Sequence, residues 1–334
     1  MPGRRSRNRP AKPRPRTGRG SGPLSCEEYE ARRYELAAEL LPRRLRNVAL
    51  GLDPARRGTA EEFRLRAGRP LTAVFPEGEE ELPGGAERVV QGSDLNLTLD
   101  IATQLSAYSS VETLRAGYIT VPGGFRIGVC GTAVLKDREV SNIKNVSSLA
   151  LRISRERKGT AEEVLGALRE NGRFQSTLIL SPPGGGKTTL LRDLVRLLSD
   201  GSTGMPGYRV AVADERGEIA VCYNGTPQMD VGARTDVLDA CPKAAGMMML
   251  LRAMNPQIIA ADEITAPEDI KALEAAANCG VKLAATAHAE GIPDLLSRPV
   301  YRSLLSLGIF KKAVVIRMVE GKRLFTVEDV PCCG

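Results

Sequence analysis

Hydrophobic positions in the second half of the chain alternate between two kinds of segment. Short apolar runs lie at residues 176–180, 208–213, 257–261 and 281–285, and amphipathic segments with helical spacing lie at 188–198, 243–254 and 267–278. Apolar runs of this length are typical of buried strands, and apolar residues three and four apart are typical of helices. The alternation predicts a parallel sheet with helices on both faces, closed by a hairpin over 313–319 and 324–327.

The first half of the chain has a mixed pattern. Helical spacing occurs over residues 27–40 and 97–114, with short strand-like pieces between and after them. Within residues 117–131, Pro122-Gly123-Gly124 separates two β-rich runs, which predicts a hairpin. Residues 161–169 predict a short helix that stops at Asn171-Gly172.

Length and charge divide the chain further. Its 334 residues are enough for two domains of about 150 residues each. Residues 1–23 contain eight Lys or Arg and no Asp or Glu, and since the whole chain carries +7, the remainder carries −1. A Pro, Gly and Arg segment with almost nothing apolar to bury is expected to be disordered. We predict a disordered basic tail over 1–23, a mixed α/β domain over 24–157, a linker over 158–172 and a larger α/β domain over 173–334.

Composition excludes several classes of protein. The seven cysteines are scattered without a CxxC pair, which argues for a reducing compartment and against a zinc module. No apolar run approaches the roughly 18 residues of a membrane span, so we expect a cytoplasmic protein that reaches membranes only through partners or the tail. A near-neutral body with 4% aromatic residues and no tryptophan lacks the stacking surface typical of nucleic-acid binding, and no specific nucleic-acid partner is expected.

The most informative motif follows the first strand of the second domain. Ser181-Pro-Pro-Gly-Gly-Gly-Lys-Thr188 stands between a predicted strand and a predicted helix, which is the order that a phosphate-binding P-loop requires. The glycines let backbone N–H groups turn toward phosphate oxygens. Lys187 is expected to reach the β and γ phosphates of ATP, and the Thr188 hydroxyl to ligate Mg²⁺. Ser181 replaces the first consensus glycine, which we expect to need only a modest backbone adjustment. The predicted nucleotide-binding residues are Pro183, Gly184, Gly185, Gly186, Lys187, Thr188 and Thr189.

Two acidic pairs end predicted strands and supply candidate catalytic carboxylates. Asp262 is expected to hold the Mg²⁺ shell together with Thr188, while Glu263 orients and deprotonates the attacking water. In the alternative, Glu215 of the Asp214-Glu215 pair polarises the water and Glu263 holds the metal shell. The sequence favours Glu263 but does not rank the two by distance.

Further candidates come from strand ends and arginines. The only histidine, His288, follows a predicted strand, where doubly wound folds gather ligand sites, so we consider it for sensing the γ phosphate, with Thr286 in the same turn as a weaker candidate. Hydrolysis at a P-loop commonly needs a cation, sometimes from a neighbouring subunit. The candidates for this cation are Arg234, Arg126, Arg152 and Arg155.

Several long blocks of the sequence resemble the stage III sporulation protein AA family. They are residues 181–193, 214–219, 234–239, 241–249 and 262–264 in the second half, and 62–70 and 117–131 in the first. The resemblance extends from about residue 24 to residue 330 and leaves out the basic tail. That family is similar to the ATPases of type II and type IV secretion and of pilus machines.

The resemblance implies a RecA-like P-loop NTPase core with a smaller mixed α/β N-terminal domain, nucleotide bound between the two, and assembly as a homohexamer. It implies a role in endospore formation, in the mother cell, beneath a channel complex at the forespore membrane. It places Asp214-Glu215 at the acidic box and His288 at the histidine box of secretion ATPases, which makes Glu215 a rival base without settling the choice.

We therefore expect an ATP hydrolase that energises an export or channel complex, using ATP and Mg²⁺ and contacting the membrane indirectly through channel or secretion proteins. Two alternatives stay open. One is a RecA-like translocase stimulated by nucleic acid, and the other is a nucleotide-gated scaffold with little turnover.

Overall fold

The computed structural model describes residues 26–103, 117–136, 139–202, 204–319 and 322–331. The predicted basic tail lies outside the described residues, and so do residues 104–114 of the second predicted helix. In the part of the chain that the structure describes, no helix is both long and apolar enough to cross a membrane.

The N-terminal part is an antiparallel sheet packed with helices. Its helices are α1 (Cys26–Ala38), α2 (Arg43–Leu50), α3 (Pro54–Arg57) and α4 (Gly92–Thr103), with a 3₁₀ turn (Gly85–Arg88), and its strands are β1 (Glu62–Arg66), β2 (Thr72–Phe75), β3 (Gly78–Glu81), β4 (Tyr118–Val121), β5 (Phe125–Lys136) and β6 (Glu139–Arg152). The strand order is β3-β2-β1-β6-β5-β4. Alternate residues of β1 face the helices, so Phe63 is fully buried and its ring centroid lies 4.9 Å from that of Tyr34.

The predicted hairpin within residues 117–131 is confirmed. Strands β4 and β5 pair antiparallel, and the turn between them contains Gly123 and Gly124, both in the left-handed region with φ of 81° and 74°. A Cβ added at Gly124 would lie 3.1 Å from side-chain atoms of Gln228 and Met229. This turn therefore packs directly against the second half of the chain, and glycine permits the close approach.

The segment between the two sheets differs from the prediction. The helix, α5, covers only Glu162–Leu165, and strands β7 (Arg169–Glu170) and β8 (Arg173–Phe174) then form a small hairpin. Its turn is Asn171-Gly172, with φ of 49° and 74°. Asn-Gly favours a two-residue turn with both residues left-handed, so the prediction of a helix to residue 169 with a stop at this pair is wrong.

The predicted linker over 158–172 also carries core residues. Ala161, Val164 and Leu168 are buried in the same cluster as the leucines of the helix that follows the P-loop. The apolar part of this segment thus belongs to the second core, because these side chains are withdrawn from water in the same cluster as Leu190 and Leu194. The domain boundaries remain predictions.

The C-terminal part is the predicted α/β unit. Its strands are β9 (Thr177–Ser181), β10 (Gly201–Ser202), β11 (Met205–Pro206), β12 (Val210–Asp214), β13 (Thr235–Asp239), β14 (Ile258–Ala261), β15 (Lys282–His288), β16 (Lys312–Val319) and β17 (Lys322–Asp329), and its helices are α6 (Lys187–Asp200), α7 (Lys243–Ala253), α8 (Pro267–Asn278), α9 (Ile292–Ser297) and α10 (Pro299–Ser306). Seven of the described strands form one sheet in the order β13-β12-β14-β15-β9-β16-β17, parallel except for β17.

The predicted alternation of strands and helices and the final hairpin are confirmed, while β13 and the two-residue strands β10 and β11 were not predicted. Strand β13 lies at the sheet edge and all five of its residues are only partly buried, so its sequence lacks a continuous apolar run. Since parallel strands end at the same edge of a sheet, β9, β12, β14 and β15 bring Ser181, Asp214, Glu263 and His288 toward one rim, where α/β folds bind their ligands.

Candidate active site

The loop after β9 has the backbone that a phosphate cradle requires. Gly184 and Gly186 adopt left-handed φ of 75° and 98°, and Gly186 caps the start of α6. Gly185 is required for a different reason: a Cβ there would lie 2.2 Å from Ser181 Oγ. Glycine is thus required at positions 184 and 186 by the left-handed backbone and at position 185 by the lack of space for a side chain. The free N–H groups at the start of α6 make this rim suited to binding anions.

Lys187 is held against this loop. Its side chain is buried, and Nζ donates hydrogen bonds to Ser181 O at 3.0 Å and Pro182 O at 3.2 Å and lies 2.9 Å from His288 Nδ1. Burial lowers the pKa of Lys187, while the charges of Asp262 and Glu263 oppose that shift. Because an ammonium only donates, Nδ1 of His288 is assigned as the acceptor, which leaves the proton on Nε2.

Asp262 is fixed between two threonine hydroxyls. Thr188 Oγ1 donates to Asp262 Oδ2 at 2.6 Å, and the Thr286 hydroxyl donates to Oδ1. Thr286 Oγ1 also accepts the Glu263 N–H at 2.8 Å. The weaker candidate Thr286 is therefore a positioning residue for the acidic pair.

The oxygen atoms of Thr188 and Asp262 fit Mg²⁺ as its few protein ligands. Among the described residues no three His, Cys, Asp or Glu side chains cluster as a metal site. Mg²⁺ usually takes one or two protein ligands and completes its shell with waters and substrate phosphates. The Thr188 hydroxyl and the Asp262 carboxylate, 2.6 Å apart at the end of the phosphate loop, match that requirement.

Glu263 presents its carboxylate to the same space. One oxygen accepts from His288 Nε2, the other pairs with Arg216, and the backbone carbonyl accepts from Lys243 Nζ at 2.6 Å. Burial raises the pKa of Glu263, but the hydrogen bond from His288 and the nearby cations outweigh it and leave the pKa below its usual value. The residue has φ of 56°, a left-handed conformation that is uncommon for a side chain of this size.

These groups share a cavity of about 380 Å³. It contains six of the seven predicted nucleotide-binding residues, and Gly185 is buried behind them. Its lining residues are Arg152, Pro183, Gly184, Gly186, Lys187, Thr188, Thr189, Arg216, Glu218, Asp262, Glu263, His288 and Arg323. The structure therefore brings together Lys187, Asp262 and Glu263 with His288, as the sequence predicts.

Glu215 does not line the phosphate cavity, although it borders a small pocket of about 10 Å³ together with Asp262 and Glu263. Its side chain is 42% exposed, its Oε2 is 3.4 Å from Lys243 Nζ, and it lines a separate 240 Å³ cavity beside β4. Its neighbour Asp214 is buried and accepts the N–H groups of Glu218, Ile219 and Ala220, so it fixes the loop after β12. Asp214 thus holds the loop after β12, and Glu263, unlike Glu215, lines the phosphate cavity.

Arg234 is not part of the site in its own chain. Its guanidinium donates to Ser199 O at 3.0 Å and Asp200 O at 3.3 Å, at the C-terminal end of α6. That helix has 14 residues, which separates its ends by roughly 20 Å at 1.5 Å per residue. A cation is favourable at the negative C-terminal end of a helix. The position of Arg234 therefore has a structural explanation within its own chain.

The other candidate arginines lie on the N-terminal side. Arg126 donates to the carbonyls of Arg216 and Gly217, both at 2.9 Å. Arg152 lines the phosphate cavity and an adjoining cavity of about 450 Å³ that also contains Arg126, Arg155, Thr188 and Thr189. The second cavity lies between the N-terminal sheet and the start of α6, and it continues the phosphate cavity.

Sequence reasoning missed Arg216, Arg192 and Arg323. Arg192 is buried in α6 and donates to the carbonyls of Glu218 and Ile219, so it holds the same loop as Asp214. Arg216 directly follows the acidic pair, and that proximity was the signal that could have found it. Arg323 lies 135 positions after Thr188 and carries no local motif.

The fold and site together define a RecA-like P-loop NTPase core joined to a mixed α/β N-terminal part. Many solved structures share this fold with the chain, among them an ATPase and a pilus motor. The ATPase DotB of Legionella pneumophila is 17% identical with a TM-score of 0.52, over 80% of this chain and 76% of that one. The pilus retraction motor PilT, solved with ADP, is 15% identical with a TM-score of 0.55, over 80% and 78% of the two chains.

Sequence comparison adds the family. The family model described as "Sporulation stage III, protein AA" matches residues 31–325. Stage III sporulation protein AA of Bacillus subtilis is 37% identical over 284 residues, which is 85% of this chain and 91% of that protein. The chain belongs to the sporulation stage III protein AA family, and the resemblance found in the sequence is confirmed.

Proposed function

We propose that this chain is an ATP hydrolase of the secretion-ATPase type that works as a homohexameric motor for a sporulation channel or export complex. The observation that carries the proposal is the convergence of Lys187, Thr188, Asp262 and Glu263 on one cavity at the rim of the parallel sheet. Support for the process comes from the family, and support for the chemistry comes from the fold shared with an ATPase and a pilus motor.

In this proposal each group of the site has a separate role in ATP hydrolysis. The glycine loop and Lys187 bind the phosphates, and Thr188 and Asp262 hold Mg²⁺, which neutralises charge on the phosphates when bound. Glu263 orients the attacking water and accepts its proton, since its carboxylate lines the same cavity as Lys187 and Thr188. His288 holds the Glu263 carboxylate and contacts Lys187, and so links base and phosphate cation.

In this proposal Arg216 moves away from Glu263 during turnover, so that the oxygen that it contacts becomes free to accept from the attacking water. Both carboxylate oxygens of Glu263 are engaged, one by His288 and one by Arg216. The Arg216 side chain is 65% exposed, so the guanidinium can exchange its contact with Glu263 for water when the pair opens. The backbone of Arg216 is held by Arg126 of β5, which couples the proposed release to the N-terminal sheet.

The assembly and its location complete the proposal. We place the protein in the cytoplasm, on the mother-cell side of the forespore membrane, bound there through channel or secretion proteins. Domains over 24–157 and 173–334 move relative to each other during turnover. Arg234 is hydrogen-bonded at the end of α6 that is far from the cavity of its own chain. In this proposal its guanidinium therefore acts as the catalytic cation only in the cavity of a neighbouring subunit.

The test is MgATP binding and turnover by the purified full chain and three variants. Lys187→Ala is expected to lose MgATP affinity. Glu263→Gln is expected to bind MgATP normally and to lose about 100-fold or more in turnover, the usual scale for removing a general base. Glu215→Gln is expected to stay within a few-fold of wild type.

Each opposite result has a distinct meaning. The same negligible rate in all four proteins indicates a scaffold and contradicts the motor proposal. Loss of turnover in Glu215→Gln with retention in Glu263→Gln makes Glu215 the base. Strong stimulation by single-stranded DNA that survives deletion of residues 1–23 indicates a nucleic-acid translocase.

A further inference from the structure

Arg323 reaches the phosphate loop from the last strand of the sheet. It is the second residue of β17 and pairs with Met318 of β16. Its Nε donates to Gly185 O at 3.1 Å, and a Cβ added at Gly186 would lie 2.8 Å from Nε. The guanidinium therefore lies in direct contact with the two glycines that precede Lys187.

The charge of Arg323 is not neutralised by a carboxylate among the described residues. Its one hydrogen bond in that part of the chain is to Gly185 O, and it lines the 380 Å³ cavity together with Lys187 and Thr188. A guanidinium has five N–H donors in a planar fork, so four are left without a protein partner among the described residues, on a side chain that lines this cavity. Forks of this kind suit phosphate oxygens, and charge-assisted hydrogen bonds are roughly twice as strong as neutral ones.

The strand fixes which face Arg323 occupies. Side chains alternate along β17, and Phe325 packs with Val327 against the core beneath α6. Arg323 is in phase with these two residues and so lies on the P-loop side of the sheet. Leu324, on the opposite face, is 53% exposed and is paired with Arg317 of β16.

We propose that Arg323 binds the phosphates of the bound nucleotide as a second cation beside Lys187. The proposal rests on the proposed function, because its ligand is the nucleoside triphosphate of the same cavity. It adds a phosphate-binding residue that lies outside the P-loop motif and belongs to the C-terminal hairpin. Occupancy of the nucleotide site is thereby linked to β16 and β17, whose tip exposes Met318 at 55% and Val319 at 46%.

The experiment compares Arg323→Gln with Arg317→Gln in the full chain. The second variant removes the same charge from the same hairpin on the opposite face. MgATP affinity is measured by titration, and the melting temperature is measured without nucleotide. Arg323→Gln is expected to weaken MgATP binding about tenfold or more, on the scale of a hydrogen bond to a charged group. Arg317→Gln is expected to stay within twofold, and both variants to melt like wild type.

The lysine variant supplies a further readout. Arg323→Lys keeps the charge without the planar fork, so its MgATP affinity is expected between those of wild type and Arg323→Gln. An Arg323→Gln affinity within twofold of wild type overturns the proposal. A lower melting temperature for both Arg323 variants, together with weak binding, overturns it too, since the residue then acts only through Gly185. Absence of MgATP binding by wild type overturns the proposed function itself, and with it this inference.

Discussion

The contact between Ser181 and Gly185 gives a quantitative test of the phosphate loop. Ser181 stands where the P-loop consensus has glycine, and its side chain fills the space next to Gly185. In Gly185→Ala the new Cβ would lie 2.2 Å from Ser181 Oγ and 2.7 Å from Ser181 Cβ. Rotation of the Ser181 side chain moves the hydroxyl away but leaves its Cβ in place.

The size of the effect follows from these distances. Carbon atoms pack best at about 3.5–4.0 Å, so the loop has to move by about 1 Å to accept the methyl group. Misplacement on the order of 1 Å at a reacting centre costs about 100-fold in rate. We expect Gly185→Ala to lose MgATP turnover on this scale.

The double variant Ser181→Gly/Gly185→Ala isolates the cause. Removing the serine side chain leaves Pro182 O at 3.2 Å as the tightest remaining contact of the new methyl group. That contact requires a shift of only a few tenths of an ångström. Turnover is therefore expected to recover most of the loss, while Ser181→Gly alone stays near wild type. The assay is steady-state MgATP hydrolysis, with melting temperatures as a control for folding. A double variant no more active than Gly185→Ala would refute the reasoning.

Three further predictions concern stability, measured by urea unfolding. Lys243→Met leaves two carboxylates and a backbone carbonyl without their buried cation and is expected to destabilise the fold by about 3 kcal/mol; a change below 1 kcal/mol contradicts this. Tyr301→Phe removes the buried hydrogen bond to Ile264 O and is expected to cost about 1 kcal/mol, whereas no change means that the bond contributes nothing. Hydrogen bonds, first of all from Arg66, lower the pKa of Glu79 to about 2, so its contribution is full above pH 4.5 and is lost as the pH falls toward 2. Wild type should therefore lose more stability than Glu79→Gln between pH 5 and 3, and parallel losses refute the assignment.

The residues of the candidate phosphate site could be brought together from the sequence because its parts are local. The P-loop is one continuous segment between a strand and a helix, and Asp262-Glu263 directly follows a buried apolar run. The parallel order of strands then brings the two segments to one rim. His288 was found for the same reason, since it ends β15 beside Ser181 in the register.

The missed features depend on tertiary contacts or on a signal with two meanings. Asn171-Gly172 has the left-handed conformation of both a helix stop and a hairpin turn, and only the pairing of β7 with β8 separates them. Arg323 reaches Gly185 because the hairpin of β16 and β17 pairs with β9, the strand before the P-loop, and the local sequence predicts the hairpin but not that pairing. Arg234 sits in a block that resembles the family, yet its position opposite the P-loop follows from the direction of α6.

At position 263 the fold requires a left-handed backbone, whereas the proposed chemistry requires a glutamate side chain, which disfavours that backbone. A side chain held at φ of 56° costs on the order of 1–3 kcal/mol, and glycine would fit there with less strain. Its own carbonyl is held by Lys243 and the next by Tyr301, so neighbours from two helices keep the residue in a conformation that it would not adopt alone. A search for more stable versions of this protein will therefore tend to select the replacements at position 263 that remove its carboxylate.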